Sequence, residues 1–299
     1  MYRQTDSKIM ALYAISPVHA GSGSSMGIVD LPIQRERHTN WPHIQSSGVK
    51  GAMRHHFEKF KDNINNPNDK EQIEKITEKI FGDENYGEGS EKSSLPGAIA
   101  VSDAKILAFP IRSSKSPFVW ITCPAVLKRV AMDINLIGKS EGAINITLSN
   151  DEAVVLADIN KNMKTGNKVL LEDYEVAISD KSFELSGNTK EMFKKADRLL
   201  LVSDEVFNYG VSHCTEIRTQ IKIDDKTGTT SDGSLRYAEV LPADTLMYVV
   251  MFYGQTRNLD NPVKAGTLIE YMKDKVIRSH IQIGGDETLG CGLFEIEWI

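Results

Sequence analysis

Six apolar runs along the chain predict its strands. The first, KIMALYAIS from Lys8 to Ser16, is almost continuously apolar and ends at Pro17, as expected of a buried strand. The other runs are rich in β-branched and aromatic residues and lie at 98–110, 117–122, 245–253, 281–283 and 293–298.

Between these runs, apolar residues recur at helical spacing. Ser46 and Ser47 are N-cap candidates for a helix whose apolar face is Val49, Met53, Phe57 and Phe60. Pro124 suits the first turn of another helix. Helices are predicted over 46–60, 70–81, 124–137, 203–211 and 262–277.

The order of these elements indicates the fold class. A strand, a helix and a strand occur early in the chain, and the same order returns near its end. This order resembles a ferredoxin-like split unit with large insertions, so we expect an α+β fold. The polar segment 62–89 looks like a surface insertion.

The stretch 216–241 is typical of a β-hairpin with a long polar tip. EIRTQIKI alternates, DDKTGTTSDG turns, and SLRYAEVL returns. Basic Arg218, Lys222 and Arg236 are interleaved with isoleucines. Such a hairpin could wedge between nucleic-acid bases, or it could simply be a ribbon at a sheet edge.

Residues 17–54 combine a glycine-serine loop, an isolated aspartate, basic residues and histidines. Gly21, Gly23 and Gly27 have the spacing GxGxxxG, which differs from the dinucleotide-binding fingerprint, and no helix follows directly. A Walker A loop is also excluded, because the lone Gly-Lys-Ser at 138–140 has Asp133 where that loop needs glycine.

The predicted helix after Ser46 carries a candidate phosphate site. Its N-terminal amides can bind an anion, and Lys50 and Arg54 lie one turn apart beside Gly51. The alternative is an ordinary solvated basic face. A second glycine loop, GGDETLGCG at 284–292, offers backbone amides and is too long for a tight turn, which suggests a ligand or partner.

Composition narrows the classes of protein. The formal charge of −6 argues against a generic nucleic-acid binder, although residues 1–59 carry seven Lys/Arg against four acids, which could still hold a polyanion. The longest apolar run, 246–253, is far shorter than the roughly 20 residues of a membrane helix, so we expect a cytoplasmic protein with no membrane partner. The three cysteines form no CxxC pair, and the histidines lack zinc-site spacing.

Four motifs together carry a family resemblance. They are PVHAGSGSSMGIVDLPIQRERHTNWPHI, the following SSGVKGAMR, SLRYAEVLP and IQIGGDETLGCG. They closely resemble the RAMP superfamily, and within it the repeated backbone subunit of the type III-B (Cmr) CRISPR effector complex. Motifs at both ends and in the hairpin extend the resemblance over effectively the whole chain.

The resemblance implies a single RAMP domain on an RRM-like palm. The palm would comprise about 1–60, 98–140 and 242–299, with an insertion at 61–97, a finger or helical insertion at about 143–200 and a thumb hairpin at about 212–241. It also implies the partners: a CRISPR guide RNA, a single-stranded target RNA, further copies of the chain in a helical filament, and other Cmr subunits.

The resemblance also implies the site. The family's catalytic aspartate falls on Asp30, its loop histidine on His19, and Tyr237 and Glu239 match a thumb-base motif at the cleavage site. Asp30 would hold a divalent cation, Mg²⁺ or Mn²⁺, or act as a base; His19 would serve as acid or base or donate to a phosphate. The expected RNA-binding residues are Arg35, Arg37, Ser46, Ser47, Lys50, Arg54, Arg218, Lys222, Arg236, Gly284 and Gly285.

Two functions follow from this resemblance. The chain is expected to be an endoribonuclease that cuts guide-paired target RNA at regular intervals, using the RNA's own 2′-hydroxyl as nucleophile. The alternative is a structural scaffold that binds guide RNA and has no cleavage activity. The aspartate at position 30 favours the first, since a scaffold has no need of it.

Overall fold

The computed structural model describes residues 3–25, 27–82, 96–159, 161–231, 233–256 and 262–299. Its strands are β1 (Ser7–Ala14), β2 (His43–Ile44), β3 (Ile99–Val101), β4 (Ala104–Arg112), β5 (Phe118–Thr122), β6 (Glu152–Asp158), β7 (Lys168–Leu171), β8 (Tyr174–Ile178), β9 (Arg198–Val202), β10 (Glu216–Gln220), β11 (Arg236–Val240), β12 (Leu246–Tyr253), β13 (His280–Gln282) and β14 (Leu293–Trp298). Its helices are α1 (Ser46–Asp62), α2 (Pro67–Phe81), α3 (Pro124–Leu136), α4 (Gly187–Met192), α5 (Asp204–His213) and α6 (Ala265–Glu270).

Four of these strands form the centre of a large sheet in the order β14-β1-β12-β4, and all three junctions are antiparallel. With α1 after β1 and α6 after β12, this is the strand order of the ferredoxin-like unit. The α+β prediction is therefore confirmed. β1 is apolar because it lies between β12 and β14 in the sheet, where Ile9, Met10 and Leu12 are fully buried.

The sheet continues beyond this unit through β5, β9, β6, β8 and β7. The range 143–200, expected to be a finger or helical insertion, thus contains β6, β7, β8, the six-residue α4 and the start of β9. In the predicted insertion 61–97, α2 buries Ile73, Ile76 and Ile80 in the common core. The sequence predicts α2, over 70–81, but it does not predict the strands of 143–200, which are short.

Two helix predictions need correction. Ser46 and Ser47 are the first residues of α1 rather than its N-cap, which is Gln45, and no side-chain cap bond forms there. The helix predicted over 262–277 is split into α6 and a π-helical stretch, Tyr271–Val276. The helix predicted over 203–211 is α5, and Ser203 caps it: its hydroxyl accepts a hydrogen bond from the Val206 amide at 3.1 Å.

The predicted hairpin exists as a separate two-stranded sheet of β10 and β11. It connects α5 to β12 and is joined to the large sheet where Val18 and Leu241 exchange backbone hydrogen bonds, both of 2.9 Å. This junction brings the loop that follows β1 against the base of the hairpin. Among the described residues, the helices are too short or too polar to cross a membrane.

Candidate functional site

The outer edge of β11 organises the candidate site. On its inner edge, β11 pairs with β10. On its outer edge, the loop after β1 acts as a short third strand: the Leu31 amide donates to the Tyr237 carbonyl at 3.0 Å, and the Glu239 amide donates to the Leu31 carbonyl at 2.9 Å. The base of the hairpin thus holds the loop that contains the candidate catalytic residues.

Asp30 and His19 are each attached to this edge by one side-chain atom. The Tyr237 amide donates to Oδ2 of Asp30 at 2.8 Å, and Nδ1 of His19 lies 2.8 Å from the Glu239 carbonyl oxygen. Tyr237 and Glu239 are two residues apart, which corresponds to about 7 Å along a strand. The structure therefore brings Asp30 and His19 to neighbouring positions on one strand edge.

The bond to a carbonyl determines the tautomer of His19. A carbonyl oxygen can only accept, so Nδ1 must carry the hydrogen, and in the neutral ring Nε2 has the free lone pair. The ring is confined between two glycines. A β-carbon added to Gly21 would lie 2.8 Å from Nε2, and one added to Gly285 would lie 3.5 Å from Cδ2. Only glycine at position 21 leaves this ring orientation unobstructed.

Glu239 lies beneath the site rather than in it. One carboxylate oxygen, Oε1, accepts from Arg35 at 2.6 Å and from the Thr215 hydroxyl at 2.8 Å. The other, Oε2, accepts from the Ile33 amide at 3.1 Å. All three bonds are made inside the protein, so this carboxylate supports the loop and the hairpin base, and its expected catalytic role is not supported by this geometry.

Arg35 is engaged in the same network. Besides Glu239, its guanidinium donates to the carbonyls of Asn40 and Val211, both at 2.9 Å. The sequence analysis predicts that Arg35 binds an RNA phosphate, whereas in the structure Arg35 connects the loop to the end of α5. The neighbouring Arg37 is exposed. A basic pair in the sequence is thus divided into an internal residue and a surface residue.

The hairpin carries its apolar and basic side chains on different faces. Thr219 pairs with Tyr237 and Ile217 with Glu239, so these residues share a face; Ile217 is 49% and Tyr237 38% exposed. Arg218 faces the opposite side. Further along the hairpin, Ile221, Ile223, Leu235, Lys222 and Arg236 are exposed. The basic and apolar side chains that alternate in the sequence therefore lie on opposite faces at the hairpin base.

The opposite face contacts the glycine loop 284–292. Arg218 lies 3.6 Å from the Cys291 sulfur, and Gln220 donates to the Asp286 carboxylate at 3.2 Å. In the same loop, the Gly285 amide donates to the His19 carbonyl at 2.8 Å. A β-carbon on Gly284 would lie 2.8 Å from that carbonyl oxygen. The sequence analysis predicts that Gly284 and Gly285 contact RNA, whereas in the structure these two glycines allow close packing against His19.

The start of α1 differs from the expected phosphate site. The Ser46 amide donates to the Asp103 carboxylate at 2.7 Å, so a negative side chain already occupies part of the helix N-terminus. Arg54 donates to the Gly82 carbonyl at 3.0 Å and pairs with Glu58 at 3.6 Å. Lys50 is half-buried, and burial, together with the nearby charge of Arg54, lowers its pKa. Of the expected basic pair, Lys50 remains the better candidate for an RNA contact.

Sequence reasoning missed the residues that hold these groups in place. Asp103 and Thr215 act through single side-chain hydrogen bonds to distant segments, and isolated residues of these types give no pattern. Glu36 is a similar anchor, bonded to Arg129 at 2.7 and 3.0 Å. Burial alone would raise the pKa of Glu36, but the hydrogen bonds from Arg129 and Thr39 and the arginine charge lower it.

Comparison with known proteins identifies the family of the chain. The family model described as the RAMP superfamily matches residues 11–295. The chain belongs to the RAMP superfamily. The RAMP assignment agrees with the ferredoxin-like sheet order and confirms the resemblance that the motifs indicated.

Several RAMP relatives are similar over almost their whole length. "CRISPR system Cmr endoribonuclease Cmr4" of Pyrococcus furiosus is 34% identical, with 96% of this chain and 94% of that protein covered. The crystal structure of oligomeric Cmr4 from Pyrococcus furiosus superposes with a TM-score of 0.67 at 26% identity, covering 98% of both chains. A chain of the type III-B Cmr-beta complex bound to cognate target RNA shares the fold, with a TM-score of 0.72 at 22% identity over 98% of this chain and 96% of that one.

Proposed function

We propose that this RAMP protein is an RNA-guided endoribonuclease. It binds a CRISPR guide RNA together with further copies of itself and other Cmr subunits, and it cuts the paired target RNA at regular intervals. The observation that carries the proposal is the attachment of Asp30 and His19 to one edge of β11, at the base of an exposed hairpin. The endoribonuclease name and the 34% identity of the Pyrococcus furiosus relative support it.

The hairpin would act as the thumb of the family. Its exposed apolar residues at the base, Ile217 and Tyr237, could enter the guide–target duplex and displace a nucleotide. A displaced nucleotide is released from helical geometry, which allows its 2′-oxygen to lie in line with the scissile phosphate. The basic side chains Lys222 and Arg236 would contact phosphates, which positions RNA without reading its sequence.

The chemistry assigned to His19 follows from its tautomer. Nε2 of the neutral ring accepts the proton of the RNA 2′-hydroxyl as the 2′-oxygen bonds to phosphorus. The bond between phosphorus and the 5′-oxygen breaks, which leaves a 2′,3′-cyclic phosphate on one product, and the departing 5′-oxygen takes up a proton from solvent water. Nδ1 remains bonded to the Glu239 carbonyl throughout, so the ring keeps its orientation.

Asp30 suits a divalent cation that is shared with the RNA. Among the described residues, no group of three or more His, Cys, Asp or Glu side chains could enclose a metal ion. Asp30 offers one carboxylate, with Oδ2 bonded to the Tyr237 amide. A single carboxylate fits Mg²⁺ or Mn²⁺ when substrate phosphates and water provide the other ligands, since Mg²⁺ is commonly bound in this way. Such an ion would stabilise the negative charge that develops on the phosphate.

Asp30→Asn in the reconstituted complex tests the proposal. Asparagine keeps an oxygen that can accept from the Tyr237 amide, so the loop should stay in place while the charge is lost. We expect target binding within twofold of wild type and cutting reduced at least 100-fold. Asp180→Asn, at an exposed position, is the matched control. A ladder of products at the wild-type rate in the Asp30→Asn complex would show that Asp30 is not catalytic and would favour the scaffold alternative.

A further inference from the structure

Gln34 is bonded to three segments of the chain at once. Its backbone amide donates to the Ala20 carbonyl at 2.8 Å, and its backbone carbonyl accepts from the His43 amide at 3.2 Å. Its side-chain nitrogen donates to the Gly21 carbonyl at 3.0 Å, and its side-chain oxygen accepts from the Gln45 amide at 2.8 Å. The bonds to Ala20 and Gly21 lie within the loop after β1, and the bonds to His43 and Gln45 connect that loop to β2 and to the start of α1.

The two side-chain bonds require an amide group of this length. The Gly21 carbonyl needs a donor and the Gln45 amide needs an acceptor, so the orientation of the Gln34 amide is determined by its partners. A glutamate would place an oxygen against the Gly21 carbonyl. An asparagine would be one methylene too short to keep both bonds from the same backbone position.

One end of this connection reaches the candidate catalytic histidine. Gly21, whose carbonyl Gln34 holds, packs so closely against His19 that an added β-carbon would lie 2.8 Å from Nε2. Nε2 is the atom assigned to proton transfer, and its location depends on the position of the Gly21 α-carbon. Loss of the bond to Gly21 would remove the side-chain restraint on the Gly21 peptide and so allow it to shift against the imidazole, while the backbone bonds at Ala20 and Ser22 and the bond from Nδ1 to Glu239 remained.

The other end reaches the helix that is expected to contact RNA. Gln45 is the N-cap residue of α1, and the next amide, that of Ser46, is held by Asp103. Lys50 lies one turn further into the same helix. The start of α1 is therefore fixed by two side chains, of which Gln34 connects it to the catalytic loop.

From this geometry we infer that Gln34 is a positioning residue, which holds His19 in register with the RNA-contacting start of α1 through its bonds to Gly21 and Gln45. The inference rests on the proposed endoribonuclease function. Gln34 itself takes no part in the chemistry, because both of its side-chain polar atoms are used by backbone groups. Its contribution is the placement of Nε2 relative to the RNA, and small misplacements of a catalytic group slow a reaction strongly.

Gln34→Met removes both side-chain bonds and keeps the length of the side chain. We expect single-turnover cutting by the reconstituted complex to fall about tenfold or more, with target RNA affinity within twofold of wild type. Gln72→Met, the same change at an exposed position of α2, should leave both unchanged. In a His19→Ala background, Gln34→Met should change the remaining rate by less than twofold, because residues that act through one another are not additive.

A second measurement reports on the geometry without requiring activity. In the full-length chain labelled with ¹³C-histidine, the imidazole Cε1–H signal of His19 is identified by its loss in His19→Ala. This signal should move in Gln34→Met and stay in place in Gln72→Met. An unmoved signal, or a tenfold loss that persists in the His19→Ala background, would overturn the inference. A wild-type complex that does not cut would refute the proposed function instead, since the NMR signal would still show whether Gln34 positions His19.

Discussion

A substitution of Glu239 distinguishes a structural role of this residue from a catalytic one. Its carboxylate and the guanidinium of Arg35 are 2.6 Å apart, with side chains that are 10% and 16% exposed. Glu239→Ala would remove the ion pair and the bonds from Thr215 and the Ile33 amide. It would also leave the Arg35 charge with two backbone carbonyls and no acid partner in this network.

The size of the effect follows from this burial. Removing one partner of a buried ion pair costs about 3–5 kcal/mol, and the lost hydrogen bonds to the carboxylate are part of that sum. We therefore expect Glu239→Ala to lower the free energy of unfolding by about 4 kcal/mol. At roughly 2 °C per kcal/mol for a chain of this size, the melting temperature should fall by about 8 °C.

Urea denaturation of the isolated chain and cutting by the complex give the two readouts. Glu184→Ala, at an exposed position, is the control and should leave the urea midpoint unchanged. The double variant Arg35→Ala/Glu239→Ala should be more stable than the sum of the two single changes predicts, because the unpaired charge is gone.

Cutting at a temperature at which the variant is folded should persist, since His19 is bonded to the Glu239 backbone and not to its carboxylate. An unchanged midpoint with complete loss of cutting would show that Glu239 belongs to the chemistry.

Three further predictions test other parts of the site. Gly21→Ala should slow cutting about tenfold with little effect on stability, because the new methyl group displaces Nε2 of His19; Gly142→Ala, where a β-carbon meets open space, is the control, and equal rates for the two would contradict the packing argument. Lys50→Ala should lower the salt dependence of RNA binding by about one phosphate contact, as measured by titration at several salt concentrations, whereas an unchanged slope would exclude a phosphate contact. Removal of divalent cations by EDTA should stop cutting and leave guide binding intact, with recovery on addition of Mg²⁺ or Mn²⁺; full activity in EDTA would refute the shared ion.

The elements that could be predicted from the sequence are those whose pattern of burial is regular along their length. β1 and β12 are covered on both faces, so their apolar runs were visible as strands, and α1 shows its buried stripe of Val49, Met53 and Phe57. The segment 143–200 was harder to predict, because its strands are four to seven residues long and some of their pairings, such as those of β9 with β5 and β6, join residues that are distant in sequence. Pairing between short strands is determined by tertiary contacts that no local pattern records.

The site could be predicted from the sequence only in part, again because tertiary contacts determine the role of each residue. The motif of residues 17–44 gave Asp30 and His19, but whether a charged residue faces RNA or the interior depends on its partner. Arg35 and Arg37 look alike in sequence, and Glu239, more than 200 residues away, makes Arg35 internal. Similarly, the Ser46 amide donates to Asp103. The sequence of α1 alone does not show this bond and suggests that the amide is available to an anion.

The arrangement at β11 has a mechanical consequence for the proposed reaction. Asp30 and His19 each use one polar atom to bond the backbone of the hairpin base, at Tyr237 and Glu239. Leu31 bonds the same two residues between them, so the loop and the strand move as one unit unless hydrogen bonds break. A hairpin that is displaced by entering a duplex would therefore carry both candidate catalytic side chains with it. Under the proposed function, the hairpin that distorts the RNA and the side chains that cut it would be joined through one strand, so cutting would be confined to the place where the hairpin enters.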